Sequence, residues 1–291
     1  MDRDETFNQY RPLLFSIAYR MLGSVMEAED IVQEAFLRWQ RAAEIEVQSP
    51  KAYLSAVVTR LCIDALRSAR VQREAYLGPW LPEPLATDAG SPGADTALAE
   101  SLSMAFLVLL ERLTPTERAV FLLREVFDYD YAEIATIVGK SEANCRQMVR
   151  RARQHLAANR PRFDASPEQR ERLTEQFLHT CVTGDLPGLI QLLADDITLW
   201  SDGGGKAAAA SKPIHGPASV ARFLLGVLAK SPPTYTPRLA QVNGQPAIVG
   251  YVEGQPQGVL VLDLAAERIR AIYIVVNPDK LKGLTPAERD S

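Results

Sequence analysis

Residues 131–156 read Tyr131-Ala132-Glu133-Ile134-Ala135-Thr136-Ile137-Val138-Gly139-Lys140-Ser141-Glu142-Ala143-Asn144-Cys145-Arg146-Gln147-Met148-Val149-Arg150-Arg151-Ala152-Arg153-Gln154-His155-Leu156. The first eight predict a short helix with Ile134 and Ala135 turned inward. Gly139, lacking a Cβ, supplies a turn at positive φ. Ser141 then caps a second helix in which Cys145, Val149, Ala152 and Leu156 recur every three or four residues, a stripe that asks to be buried. Cys145 falls on that stripe and is read as packing. The face left outward carries Glu142, Asn144, Arg146, Gln147, Arg150 and Arg151. Such side chains hydrogen-bond the edges of bases, and the first turns of a recognition helix are what reach the major groove. The pattern is a helix-turn-helix. A helical hairpin with no nucleic-acid role has the same local periodicity, so the surrounding charge has to decide.

Charge is sorted along the chain. From Lys140 to Arg162 there are seven basic residues (Lys140, Arg146, Arg150, Arg151, Arg153, Arg160, Arg162) and one acid, Glu142. A second basic stripe, Arg60, Arg67, Arg70 and Arg73, has Asp64 as its one internal acid. Basic stripes on helices are the footprint of phosphate binding, and two in separate helical segments favour nucleic acid over solvated faces. Between Met21 and Leu37 the bias reverses: Glu27, Glu29, Asp30 and Glu34 are the charged residues. Asp30 and Glu34 are i,i+4 neighbours, a repulsion of a few tenths of a kcal/mol. Either this is a solvated helix face or it docks a basic or amide-rich partner.

The whole chain is no polycation. Its 291 residues hold 32 Lys+Arg against 36 Asp+Glu, a net charge of −4, and the length suits roughly two domains of about 100–200 residues each. Apolar runs at 105–110 and 259–262 fall far short of the ~20 residues a membrane span needs, and the acidic start has no secretory pattern. A soluble, cytoplasmic protein with no membrane segment is expected. Cys62, Cys145 and Cys181 are scattered and only three His are present, so neither metal nor cofactor is expected.

Organisation follows from caps and breakers. Residues 1–77 are helical, and a Pro/Gly-rich linker spans 78–98. Residues 99–160 are helical again, 167–284 form a different domain, and 285–291 are a tail. Ser49-Pro50 starts one helix, and Thr114-Pro115-Thr116-Glu117 and Ser166-Pro167-Glu168-Gln169 are capping boxes. Segments 197–200, 238–242, 247–253, 257–263 and 269–276 read as strands, with a helix at 218–228 and a hairpin turn at Asn243-Gly244. The expectation is multidomain: two all-α helical domains, then an α+β domain with helices on a curved antiparallel sheet.

The run Glu29-Asp30-Ile31-Val32-Gln33-Glu34-Ala35-Phe36 matches a D-x-x-Q-E-x-F signature, and Arg151-Ala152-Arg153 an R-A-R motif. With their order and spacing, these make the first 160 residues resemble an extracytoplasmic-function sigma factor of bacterial RNA polymerase. The resemblance implies that residues 1–77 are region two, in which Glu29, Asp30, Gln33 and Glu34 bind core polymerase at the β′ clamp helices. Arg60, Asp64, Arg67 and Arg70 would engage the −10 element. Residues 99–160 would be region four, contacting the β flap and reading −35 DNA through Glu142, Asn144, Arg146, Gln147, Arg150 and Arg151. The family often has Asn where Arg60 stands. Trp39 and Tyr53 suit either stacking on unpaired bases or packing.

The C-terminal pattern resembles the SnoaL-like, NTF2-like cone fold. Three motifs point to sigma factors with such a fused domain: Trp80-Leu81-Pro82-Glu83-Pro84, Asp202-Gly203-Gly204-Gly205-Lys206 and Asn277-Pro278-Asp279-Lys280-Leu281. The resemblance implies a regulatory interface built from all three and control of the sigma regions in cis. The Gly run is read as a loop that another backbone approaches, leaving Asp202 and Lys206 for polar contacts. SnoaL relatives include cyclases and isomerases that use a pocket carboxylate, for which Asp202, Asp263 and His215 are the candidates, and His179 reads as packing or surface. Expected, then, is a non-enzymatic sigma factor, monomeric when free, with core polymerase and promoter DNA as partners. A ligand-responsive regulator holding a small molecule in the C-terminal pocket, or a fused isomerase, is the alternative.

Overall fold

Helix caps lay out the first part of the chain. The computed structural model describes residues 3–42, 47–73, 76–87, 101–157, 165–265 and 267–284, with backbone alone at 69–73 and 157. Helices α1 (Arg3–Leu22), α2 (Val25–Arg41) and α3 (Pro50–Arg73) come first. Ser24 caps α2 by accepting from the Glu27 amide, and Ser49 caps α3 by accepting from that of Ala52. After α4 (Met104–Leu110) come α5 (Pro115–Glu125), α6 (Tyr131–Val138) and α7 (Glu142–Ala157). The expected Thr114–Glu117 capping box is present, and a further one, Asp130–Glu133, starts α6.

The chain separates into two units, Met1–Ala75 with Leu109–Arg160, and Tyr76–Val108 with Pro161–Ser291. Helices α1–α3 and α5–α7 thus fall in one unit, and α4 straddles the boundary. Leu14, Ile17 and Tyr19 of α1, Val32 of α2, and Leu54, Val58 and Cys62 of α3 are buried. Arg118 of α5 is buried too, donating to the Met21 carbonyl at 2.6 Å and the Leu110 carbonyl at 3.1 Å while pairing with Glu111 at 2.7 Å. A buried cation costs stability unless fully partnered, and three acceptors meet that need. They also fix α5 against the end of α1.

The C-terminal part of the second unit holds α8 (Pro167–Thr183) and α9 (Leu186–Leu192), followed by β1 (Leu193–Asp202), β2 (Ile214–His215) and α10 (Pro217–Leu228). Strands β3 (Tyr235–Val242), β4 (Gln245–Val252), β5 (Gln255–Ala265) and β6 (Arg268–Val275) complete a sheet of order β2-β1-β6-β5-β4-β3. A one-turn 3-10 helix at Pro278–Lys280 follows. The Asn243-Gly244 turn has both residues at positive φ, as its hairpin requires. One expectation fails: β1 pairs β6 in parallel, so the sheet is mixed.

Alternation along the strands gives two apolar faces. Ile248, Leu262 and Ile272 face α8, α9 and α10, with Phe177, Leu189 and Val220. Val249, Val261 and Tyr273 face the other way, into a second core with Leu81, Met104 and Leu281. The Pro-rich segment, expected to share an interface with the Asp202 and Asn277 motifs, is packed over its described part. Leu81 through Pro84 are buried, and Ala86 bridges Val242 at the edge of β3. An extended, proline-set segment has already lost much of its backbone freedom, so laying it along a strand costs little. Residues 88–98 and 285–291 lie outside the described residues.

Candidate functional sites

On α7 the stripe Cys145, Val149, Ala152 and Leu156 is buried as expected. Asn144, Arg146, Gln147, Arg150 and Arg151 are exposed, and Glu142 is half-buried. On α6 the inward pair is Ile134 with Ile137, and Ala135 is half-buried. Gly139 takes φ 66° in the turn. Two of the basic side chains have local partners. Arg146 pairs with Glu142 at 2.8 Å and lies 5.0 Å from the Tyr131 ring. Arg153 forks onto Glu125 of α5 at 2.8 and 3.0 Å, and that carboxylate pushes its pKa up. Arg153 thus braces the helix-turn-helix, while Arg150 and Arg151 face outward. Arg160 and Arg162 lie outside the described residues.

The acidic face of α2 is only partly unneutralised. Glu29 pairs with Arg11 at 2.5 Å and Glu34 with Arg38 at 2.8 Å, each pair largely exposed. The i,i+4 repulsion is relieved because Arg38 lies one turn beyond Glu34. Asp30 and Gln33 are exposed, and Met26 and Leu37, 58% and 42% exposed, continue their line at helical spacing. Sequence reasoning passed over these two apolar residues. Their signal was the four-three-four spacing of Met26, Asp30, Gln33 and Leu37 on one side of the helix.

On α3, Asp64 and Arg67 are exposed and 3.6 Å apart; the Arg70 side chain lies outside the described residues. Arg60 departs from the expected open DNA-facing stripe. Its guanidinium donates to the Ile137 carbonyl at 2.8 Å and the Thr136 carbonyl at 2.9 Å, at the end of α6. Unsatisfied carbonyls at a helix C-terminus draw cations. Nearby, Ser55 and Tyr129 share a buried hydroxyl hydrogen bond of 2.6 Å, and Lys51 lies 5.2 Å from the Tyr129 ring. Trp39 is buried, donates to the Arg3 carbonyl at 3.0 Å and packs 5.8 Å from Tyr53. Packing is its role here.

In the second unit the three motifs converge on one carboxylate. Asp202 has 0% exposure. It accepts from the Tyr76 hydroxyl at 2.6 Å, the Leu81 amide at 2.8 Å, the Gly204 amide at 3.0 Å and the Lys280 ammonium at 2.7 Å. Lys280 also donates to the Leu81 carbonyl, and its ammonium lies 4.3 Å from the Trp80 ring and 5.2 Å from that of Tyr76. Asn277 donates to the Tyr76 hydroxyl at 3.0 Å and Lys206 pairs with Asp279. Burial, and next the hydrogen bond to Asp202, push the Tyr76 phenol well above its ordinary range, so it serves as a donor.

The glycines have steric reasons. Gly204 has φ 57°, and a Cβ there would meet the Asn277 amide nitrogen at 2.2 Å. Gly205 has φ 71°, and its Cβ would meet Leu77 Cδ1 at 2.7 Å. Tyr76 and Leu77, just ahead of the linker motif, were absent from the sequence-derived site; nothing local marks a tyrosine as the partner of a carboxylate 126 residues on. Pro82, Glu83 and Pro84 are buried beside this cluster, as is Leu281.

The candidate catalytic groups do not converge. Asp263 is buried against Arg270 at 3.2 Å, and His215 is exposed and bonded to Thr198 at 3.1 Å. His179 is exposed on α8. Among the described residues no cluster of His, Cys, Asp and Glu suits a metal, and no helix is long and apolar enough to cross a membrane.

Residues 6–71 match the family model of sigma-70 region 2, and residues 103–156 that of sigma-70 region 4. The ECF RNA polymerase sigma factor SigJ of Mycobacterium tuberculosis is 37% identical, with 97% of this chain and 94% of that protein covered. This chain belongs to the ECF sigma factors. SigG of the same species is 30% identical over 89% of this chain and 77% of its own. The crystal structure of M. tuberculosis SigJ superposes with a TM-score of 0.77 at 32% identity, covering 97% of this chain and 99% of that one. Helical sigma regions followed by a domain with a six-stranded sheet are thus the shared architecture. As an ECF sigma factor, the chain partners core RNA polymerase and promoter DNA and directs promoter-specific initiation.

Proposed function

We propose that the line Met26-Asp30-Gln33-Leu37 on α2, flanked by Glu29 and Glu34, docks on the clamp helices of the polymerase β′ subunit. Apolar ends around a polar, acidic middle suit a partner helix that offers basic and amide side chains between apolar ones. Residues 109–157 engage the β flap and read −35 DNA through the outward face of α7, while α3 serves the −10 element with Asp64, Arg67 and Arg70. Arg60 joins that contact only after leaving the α6 carbonyls, so the packed arrangement of α3 against α6 is a resting form.

The second unit regulates in cis, without chemistry of its own, by holding the linker. Asp202 supports this reading: one buried carboxylate gathers donors from the start of the linker, the Gly loop and the Asn277–Leu281 motif. Clamping the linker shortens the tether between the −10 and −35 readers. Freeing it lengthens that reach. The chain works in the cytoplasm and is monomeric when free.

The test compares Asp30→Arg and Arg150→Ala in polymerase-binding and promoter-binding assays. Asp30→Arg lowers affinity for core polymerase at least tenfold by charge reversal, while Arg150→Ala leaves that affinity unchanged and weakens −35 recognition. Equal loss of polymerase binding in both variants contradicts this division of labour.

A further inference from the structure

Between the sheet and helices α8 and α10 the second unit encloses a cavity of about 430 Å³, lined chiefly by Phe177, Phe223, Leu224, Tyr235, Ile248 and Leu260. That volume lies within the range of sites for small organic ligands, about 300–1,000 Å³. Among the described residues its lining holds no Asp, Glu, His, Lys or Arg, and the polar groups are those of Ser201, Ser231, Tyr235, Gln257 and Cys181. A general acid or base works best with a pKa near the operating pH, and burial pushes the Cys181 thiol and the Tyr235 phenol further above it. Asp202, Asp263 and His215 are all absent from this lining. An ionic ligand would enter unpaired, at a cost of several kcal/mol. What remains favourable is an uncharged, mainly hydrocarbon or aromatic molecule with one or two hydrogen-bonding groups. Val182 and Val227 line the same cavity yet are 64% and 50% exposed, which places apolar side chains at its mouth.

The cavity and the Asp202 cluster share a wall. Ser201 and Val276 line the cavity, and each is the chain neighbour of a cluster residue, Asp202 and Asn277. Strand alternation sends Ser201 to one face of β1 and Asp202 to the other. The Val276 and Asn277 amides both donate to the Asp202 carbonyl, at 2.8 and 3.0 Å. Ala208, two residues past Lys206, lines the cavity as well. A molecule that presses on Ser201 and Val276 therefore moves the backbone that aims Asp202 and Asn277 at the linker.

We propose that this cavity binds an uncharged, largely apolar small molecule, and that its occupancy is coupled through the ends of β1 and β6 to the hold on residues 76–87. This rests on the reading of the Asp202 cluster as a linker clamp. Coupling between two binding equilibria is reciprocal: whatever the ligand does to the clamp, opening the clamp does to ligand affinity by the same factor.

The experiment uses the full chain and a neutral fluorescent probe, N-phenyl-1-naphthylamine, with hydrogen exchange of residues 76–87 as second readout. The probe binds the unaltered chain, and the anionic 1-anilinonaphthalene-8-sulfonate binds at least tenfold more weakly. Val227→Trp and Val182→Trp, substitutions at exposed mouth positions chosen to spare the fold, each weaken the probe at least fivefold. Saturating probe changes exchange in 76–87 at least threefold, and Asp202→Asn changes probe affinity in the sense reciprocity requires. No probe binding, or binding indifferent to both tryptophans, overturns the site. Binding with unaltered exchange in 76–87 overturns the coupling. If Asp202→Asn itself leaves 76–87 as slow to exchange as before, the clamp reading fails instead, whatever the probe does.

Discussion

Asp30 and Asp202 are the same side chain put to opposite uses. Asp30 stands exposed on α2, among pairs that water screens, and its removal costs the fold little. Asp202 is fully buried and accepts four hydrogen bonds, one from a buried-side ammonium. On the proposed reading the first carboxylate gains its meaning from a partner outside the chain. The second is an internal fastener whose partners are already in place. In the helical unit, the proposed function rests on charges left on a surface. In the sheet-containing unit, it rests on one charge taken out of water and fully matched.

Substitutions ranked by effect test that contrast. Asp202→Ala strands Lys280 and three other donors, and breaking a buried pair from one side costs about 3–5 kcal/mol, read as a lower midpoint in chemical denaturation. A loss under 1 kcal/mol would mean water replaces the carboxylate freely. Gly204→Ala meets both a left-handed φ and the Asn277 amide, and loses about 1–2 kcal/mol; an unchanged midpoint would show that the loop relaxes away. Arg153→Ala removes an exposed forked pair with Glu125 and costs at most about 1 kcal/mol, with 1 M salt shrinking the difference. Asp30→Arg leaves stability within about 0.5 kcal/mol while weakening polymerase binding, so a large stability loss would break the comparison.

The smallest effect concerns pH. Lys206, followed by Lys282, holds the Asp279 carboxyl below its ordinary value of 3.8. A depressed carboxyl contributes stability above its unfolded pKa, and that contribution fades as pH falls through the folded one. An NMR titration should place the Asp279 midpoint below 3.8, and Lys206→Ala should return it toward that value. A midpoint unmoved by that substitution would assign the shift elsewhere.

Periodicity made α7 legible, because a helix buries what recurs every three or four residues, and Cys145, Val149, Ala152 and Leu156 do so. Caps did the same for Thr114 and Ser166, where a hydroxyl, Pro and Glu or Gln stand in order. The parallel pairing of β1 with β6 left no such mark, since alternation is the same whichever strand lies alongside. The Pro-rich linker was legible as an extended piece of the interface, because proline sets such a backbone, whereas the groove that holds it is made by residues far along the chain. Arg60 shows the limit for charge. Its type predicted an anionic or polar acceptor, and both DNA phosphates and the carbonyls of Thr136 and Ile137 meet that description. The motif cluster was legible as three pieces, and Tyr76 was missed because its role exists only once Asp202 is beside it.

In vitro transcription decides whether the Asp202 cluster controls the sigma regions. Core RNA polymerase with the full chain, and with the Lys280→Met chain, should give transcripts from the same promoters in different yields, since the substitution loosens the linker and leaves α2 and α7 untouched. Identical yields from a folded Lys280→Met chain with fast exchange in 76–87 would show that releasing the linker does not regulate transcription.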